Sequence, residues 1–273
     1  MTAAAAPVLE VRDLSLRFGS VTAFADVSFD VARGELFAVI GPNGAGKTSL
    51  FNVLSRVYQP TAGSVRFEGA DLLRLRAWGL AGAGVARTFQ NLGLFGDLTA
   101  LENVLIGRHH LMRAGAVRTG LWLGSAGREE RRHRAVALEA LAFTGLEEHA
   151  GDPVRTLPFG IRKRIEIARA LAMEPKLMLL DEPVAGMSVG EREEIAVLVR
   201  RLHAERDLTL LLVEHDMNMV MRIAQRVLVL DFGQVIALGA PAQIQSDERV
   251  IRAYLGEELD PGDPAGAPAE AMT

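Results

Sequence analysis

The sequence contains no cysteine in its 273 residues, which excludes a disulfide framework and any thiolate metal site. Long apolar runs are also missing. Stretches such as residues 208–213 are strand-sized, far short of the roughly 18 residues that crossing a bilayer requires. Any membrane contact is therefore expected to come through a partner. A positive charge excess is absent too: the net charge of −4 argues against a surface built to neutralise nucleic-acid phosphates. The arginine-rich segment 128–134 is interrupted by Glu129 and Glu130, a mixture that suits a solvated helix face. The opening MTAAAAPVLE lacks the basic start and apolar stretch of a secretory signal, so no export is expected. His109 and His110 adjoin with no acid at ligand spacing and read as surface histidines, not a metal site.

What is present points to one large domain carrying a subdomain, because nearly half of the residues are hydrophobic and can fill a core. Residues 8–18 and 27–31 alternate apolar and polar side chains, as half-buried antiparallel strands do, whereas residues 35–40 are nearly continuously apolar. Two further buried strands are expected at 176–180 and 208–213. Between them and the first buried strand lies a mostly helical stretch, about 101–172, that a sheet core does not need. Its part from 107 to 127 shows no periodicity. A helix is expected over 162–172, where Ile165, Ala168, Leu171 and Ala172 form an apolar stripe and Pro175 follows. The end, GEELDPGDPAGAPAEAMT, is too rich in proline, glycine, alanine and acid to order itself.

The strand at 35–40 runs into GPNGAGKT, residues 41–48. This fits the G-x-x-x-x-G-K-[ST] spacing at a strand-to-helix junction, where backbone N–H groups converge on phosphate oxygens. Gly41, Gly44 and Gly46 permit angles and close approach that a side chain forbids, with Pro42, Asn43, Ala45 and Ser49 completing the cradle. Lys47 supplies a cation to the β- and γ-phosphates and Thr48 a hydroxyl to Mg²⁺. A plain glycine turn before a helix is the alternative. A second element, LMLLDEP, puts Asp181 and Glu182 at the end of a buried strand, where neither serves packing. Asp181 suits a Mg²⁺ ligand, through water, and Glu182 a carboxylate that polarises attacking water. Two acids capping a turn before Pro183 is the other reading.

Taken together, the loop and LMLLDEP resemble the nucleotide-binding domains of the ATP-binding cassette (ABC) family. The resemblance implies an α/β fold: a P-loop NTPase core with a mixed sheet, an N-terminal antiparallel β subdomain and an inserted helical subdomain. Residues 8–90 and 174–257 would form the core lobe, about 91–173 the helical one, and 258–273 a disordered tail. It further implies that Phe18 stacks on adenine, although Phe18 also fits an alternating core strand. By the same resemblance Gln90, in VARTFQNLGLF, is a Mg²⁺ contact that links the nucleophile region to the transmembrane partner, and His215, in LLVEHD, contacts the γ-phosphate. The segment Leu157, Pro158, Phe159 and Gly160 departs from the family's LSGGQ form but precedes a helix, and in the family faces the γ-phosphate held by a partner subunit. Pro158 lacks the hydroxyl and the N–H of the serine it replaces, and Ser188 stands where many relatives have an aspartate.

These departures, with RTFQNLGLFGDLTALENVLIG, RKRIEIARALA, VEHDMNMVM and VIRAYLGEE, resemble the ATP-binding subunits of branched-chain or hydrophobic amino acid importers. The implied cofactors are ATP and Mg²⁺. The implied partners are two transmembrane permeases, docking near Gln90, Phe95 and Leu98, a second ABC ATPase subunit, and indirectly a substrate-binding protein. The implied location is the cytoplasmic face of the cell membrane. Importers of urea, amides or small carboxylates, an exporter ATPase and a nucleotide-binding regulator are the other readings.

Overall fold

A computed structural model describes residues 6–88, 93–112, 124–206 and 208–258. Gln90, the middle of the aperiodic 107–127 stretch and the tail from 259 onward lie outside the described residues.

The alternating segments form β1 (Leu9–Phe18) and β2 (Val21–Val31), which pair antiparallel and continue into β4 (Ala62–Phe67) and β5 (Ala70–Asp71) as a four-stranded sheet. The continuously apolar segments form β3 (Leu36–Ile40), β7 (Leu177–Asp181) and β8 (Thr209–Val213), every residue of which is buried. With β6 (Val85–Arg87), β9 (Arg226–Asp231) and β10 (Gln234–Gly239) they make a second sheet in the order β10-β9-β3-β8-β7-β6. It is parallel except for the β9–β10 hairpin, so the mixed sheet expected from the sequence is present.

Helices cover both faces, which is why these strands are apolar on both sides. Helix α1 (Lys47–Leu54) packs between the two sheets, where Leu50, Phe51 and Val53 join Phe37, Val39 and the inner face of β1 and β2. After the short α2 (Gly79–Ala83), the helical lobe comprises α3 (Ala100–Gly107), α4 (Gly124–Phe143) and α5 (Phe159–Ala172). Ala100, Val104, Leu141, Leu146, Ile165 and Ala168 give this lobe a core of its own. Ile167 and Ala170, on the opposite side of α5, face the other sheet surface beside α6 (Val189–Arg206) and α7 (Met217–Ile223). Helices α8 (Pro241–Gln245) and α9 (Glu248–Glu258) close the chain. No described helix is long and apolar enough to cross a membrane.

Two local readings change. The last helix of the insertion starts at Phe159, three residues before the expected Arg162, because the Pro158 carbonyl already accepts from Arg162 N at 3.0 Å and Pro158 serves as the N-cap. Its missing N–H costs nothing there. The segment 128–134 is a solvated face except at His133, which is only 5 % exposed. His133 Nδ1 accepts from Arg108 Nε at 2.9 Å, and the buried Arg108 guanidinium also donates to the Ala172 carbonyl at the end of α5. One guanidinium thereby ties α3, α4 and α5 together.

Burial, together with the Arg108 charge, holds the His133 imidazole below its ordinary value of 6.5, although Glu129 pulls the other way. A depressed histidine favours the neutral form in the folded chain, so its contribution is present above 6.5 and is lost as pH falls through the lower folded-state value. Melting temperature is expected to fall more steeply between pH 7 and pH 5 in the wild type than in His133→Gln, about a few degrees of difference per kcal/mol. Parallel curves in a thermal-denaturation series would remove His133 from this role.

Candidate nucleotide site

The order of the large sheet explains why motifs distant in sequence meet. Strand β8 lies between β3 and β7. The phosphate loop leaves the carboxyl end of β3, Glu214 and His215 follow β8, and Asp181 ends β7 with Glu182 just beyond. Carboxyl ends of parallel strands are where open α/β sheets gather their ligand-binding groups.

The loop is built by close approach. Gly41 adopts φ +151°, and a Cβ there would come within 2.0 Å of the Leu230 carbonyl oxygen; Gly46, at φ +97°, would bring one within 2.5 Å of the Ala23 carbonyl oxygen. No side chain fits either position. The β9–β10 hairpin braces the loop from behind, since Gly233 N donates to Ala45 O at 3.2 Å and Ala25 N to Gly233 O at 2.9 Å. Lys47 is 6 % exposed, and its Nζ donates to the Gly41 and Pro42 carbonyls at 2.6 and 2.8 Å. Thr48, the next residue of α1, stays exposed.

A cavity of about 340 Å³ opens on this loop. Residues 43–49, Glu182, residues 21–23 and Phe232 form its wall. The loop and Glu182, far apart in sequence, are therefore brought together. Glu182 holds a left-handed φ of +44°, fixed by its N–H to the Val213 carbonyl at 2.9 Å. Six other described non-glycine residues share a positive φ, so it is the place of Glu182 on the cavity wall that ties it to the loop. The cradle of glycines, the buried ammonium and the exposed Thr48 hydroxyl suit the triphosphate of a nucleotide and its Mg²⁺.

Other expected residues lie outside that wall. Phe18 is 48 % exposed and stands edge-on to Tyr58, with centroids 5.2 Å apart; half-exposed at the end of β1, it is available for stacking and is not a core side chain. Asp181 is 1 % exposed, and its Oδ2 accepts from Arg87 Nη2 at 2.6 Å. His215 is half exposed beside Glu214. Leu157 and Pro158 lead into α5 on the helical lobe, and Phe159 and Gly160 are its first two residues. Gly160 abuts Glu191, whose carboxylate would lie 2.7 Å from a Cβ at that glycine.

Ser188, where many relatives have an aspartate, sits just before the start of α6. Its N–H and hydroxyl donate to the Glu191 carboxylate at 2.9 and 2.7 Å, a reciprocal cap for α6. These hydrogen bonds hold the Glu191 carboxyl below its usual range.

Glu214 and Arg87 carry structure that the motifs did not announce. The Glu214 carboxylate, fully buried, accepts from the N–H groups of Val184 at 2.9 Å and His215 at 3.1 Å. It thus locks the turn after Glu182 to the turn holding His215. Burial raises the Glu214 carboxyl above its ordinary value despite those donors. The detectable sequence signal was a lone acid ending an otherwise apolar strand, a position that demands donors.

The family pattern described as ABC transporter matches residues 24–185, and one described as branched-chain amino acid ATP-binding cassette transporter matches residues 234–260. The sequence is 40% identical over 252 residues to the high-affinity branched-chain amino acid transport ATP-binding protein BraF of Pseudomonas aeruginosa, covering 92% of this chain and 98% of that protein. Among solved structures, an ATP-binding cassette of an ABC transporter in its ADP conformation superposes with a TM-score of 0.80 at 30% identity, over 92% of this chain and all of that one. A dimeric, post-hydrolysis cassette bound to ADP and Pi gives a TM-score of 0.72 at 28% identity, over 85% and 98% of the two chains.

Proposed function

The chain belongs to the ABC transporter family as an ATP-hydrolysing subunit, and from that premise we propose that it powers uptake of branched-chain or other hydrophobic amino acids. The observation that carries the substrate class is 40% identity, over 92% of the chain, to a branched-chain amino acid transport ATP-binding protein. Residues 234–260, which hold β10, α8 and α9, also match a pattern described as branched-chain amino acid ATP-binding cassette transporter.

In this reading the phosphate loop holds ATP: residues 43–46 by backbone N–H groups, Lys47 by charge, with Ser49 behind Thr48 on α1. Mg²⁺ bound at Thr48, Asp181 and Gln90 would neutralise charge developing on the phosphates. Glu182 orients and polarises the attacking water, and Glu214 keeps Glu182 and His215 in register through the backbone of both turns. Phe18 stacks on the base from the side. The first turn of α5 would offer its N–H groups and dipole to the nucleotide of a second cassette subunit. Two such subunits, related head to tail, bury ATP between the loop of one and Leu157 to Gly160 of the other. Residues 8–90 and 174–257 then act as the nucleotide-holding lobe and 91–173 as the lobe that moves. The assembly sits on the cytoplasmic face of the membrane through two permease subunits, and a substrate-binding protein delivers cargo on the far side.

The test is co-purification of the neighbouring permeases and binding protein, reconstitution in vesicles, and ATPase measurement. Leucine, isoleucine or valine with the binding protein is expected to stimulate turnover. Stimulation by urea, an amide or a small carboxylate instead would reassign the cargo. Stimulation without any binding protein would favour export, and absence of turnover under every condition a regulator.

A further inference from the structure

Arg87 closes β6 with its guanidinium 8 % exposed, against an Asp181 carboxylate that is 1 % exposed. Nη2 donates to Asp181 Oδ2 at 2.6 Å. Nη1 of the same group donates to Asn52 Oδ1 at 2.8 Å and to the Ser55 hydroxyl, and the guanidinium lies 5.9 Å from the Phe51 ring centroid. Asn52 lies in α1 and Ser55 is its C-cap. One cation therefore joins the far end of the helix that begins at the phosphate loop to the acid that ends β7.

A buried carboxylate needs a counter-charge, and removing one member of a buried pair leaves the other uncompensated. Asp181 has two candidates for that role. The guanidinium is resident; a divalent cation would arrive with nucleotide. Two cations beside one buried carboxylate repel each other, so each weakens the hold of the other. By linkage, whatever Arg87 does to the affinity for Mg²⁺, Mg²⁺ does equally to the hold of Arg87.

We propose that Arg87 is the resident counter-charge of Asp181, securing the carboxylate before nucleotide binds and setting, by competition, how strongly Mg²⁺ adds to nucleotide affinity. Arg87 is thus a positioning residue. Its anchorage on Asn52 and Ser55 carries the exchange: as Mg²⁺ takes a share of Asp181, the guanidinium remains on α1, and the tie between α1 and β7 loosens. This rests on the reading of Asp181 as a Mg²⁺ contact.

The experiment is calorimetric titration of the full chain with ADP, in Mg²⁺ and in EDTA, the ratio of the two affinities being the Mg²⁺ enhancement. In Arg87→Gln the enhancement is expected to rise roughly five-fold or more over wild type, within the ordinary range of coupling between sites. Arg87→Lys, which keeps the charge, is expected to stay near wild type. In thermal denaturation Arg87→Gln is expected to lose stability without Mg²⁺ and to regain more of it with MgADP than with ADP alone. If Arg87→Gln does not fold, Asn52→Asp offers Nη1 a second carboxylate and should raise the enhancement in the same direction. An enhancement that is unchanged or lower in the folded variants, with a stability loss that ignores Mg²⁺, overturns the proposal and leaves Arg87 a brace. A wild type with no Mg²⁺ enhancement at all would instead remove the premise about Asp181.

Discussion

Glu182→Gln is expected to bind MgATP as the wild type does and to hydrolyse it on the order of 10²–10⁴ times more slowly, the usual worth of a positioned general base. The geometry makes the two effects separable. Glu182 shares the cavity wall with the phosphate loop, but its backbone is held independently, by the Val213 carbonyl on one side and by the Ala185 N–H to its own carbonyl at 3.2 Å. Glutamine has the same length and tolerates the same hydrogen-bonded turn, so the loop, the cavity and the Glu214 clasp on Val184 should persist. What disappears is the charge that draws a proton from water. Steady-state ATPase measured beside nucleotide retention on a filter separates the cases. Retention with lost turnover supports the role, whereas turnover within ten-fold of wild type means that another group activates water.

How much of this was legible in the sequence depended on the range over which each signal acts. The phosphate loop is a local feature: glycines at fixed offsets, after a strand apolar on both faces and before a helical repeat, left little room for another fold. The acids at 181 and 182 were legible for a related reason, since nothing in a fully buried strand calls for them. The apolar stripe of Ile165, Ala168 and Leu171 places the start of α5 near Arg162, three residues late, because a packed face does not reveal how the first turn closes. The Pro158 carbonyl closes that turn by accepting from Arg162 N. His133 was read as solvated because its neighbours are charged, yet it is buried because Arg108, 25 positions earlier, needs an acceptor.

The same limit hid the Arg87 contact with Asp181, which spans 94 positions and exists because β6 and β7 are sheet neighbours. Pairing between strands is a property of topology, and no periodicity in either strand encodes it. The Leu157 to Gly160 segment is a further case. Its capping of α5 is visible within one chain, but its proposed contact is with the nucleotide of another, so only the resemblance to the cassette family suggested a use for it.

Lys47 gives the second large effect, because its cradle distinguishes charge from shape. The side chain is almost wholly buried, and its ammonium is fixed between two loop carbonyls at 2.6 and 2.8 Å. Lys47→Ala removes a cation that would make charge-assisted hydrogen bonds to phosphate oxygens, each worth about 1.5–3 kcal/mol. Loss of about 3 kcal/mol weakens MgADP binding roughly 100-fold. Arginine keeps the charge but replaces a compact three-donor head with a broad planar fork on a longer reach. The compact ammonium sits within hydrogen-bonding distance of both the Gly41 and Pro42 carbonyls, a geometry that the broader fork does not reproduce. Lys47→Arg is therefore expected to bind nearly as poorly as Lys47→Ala in a calorimetric titration, and the rise in melting temperature expected of the wild type in MgADP should be much smaller in both. Recovery of most of the affinity by arginine would mean that the loop needs only a positive field. Undiminished affinity in Lys47→Ala would mean that the nucleotide is not held by this loop.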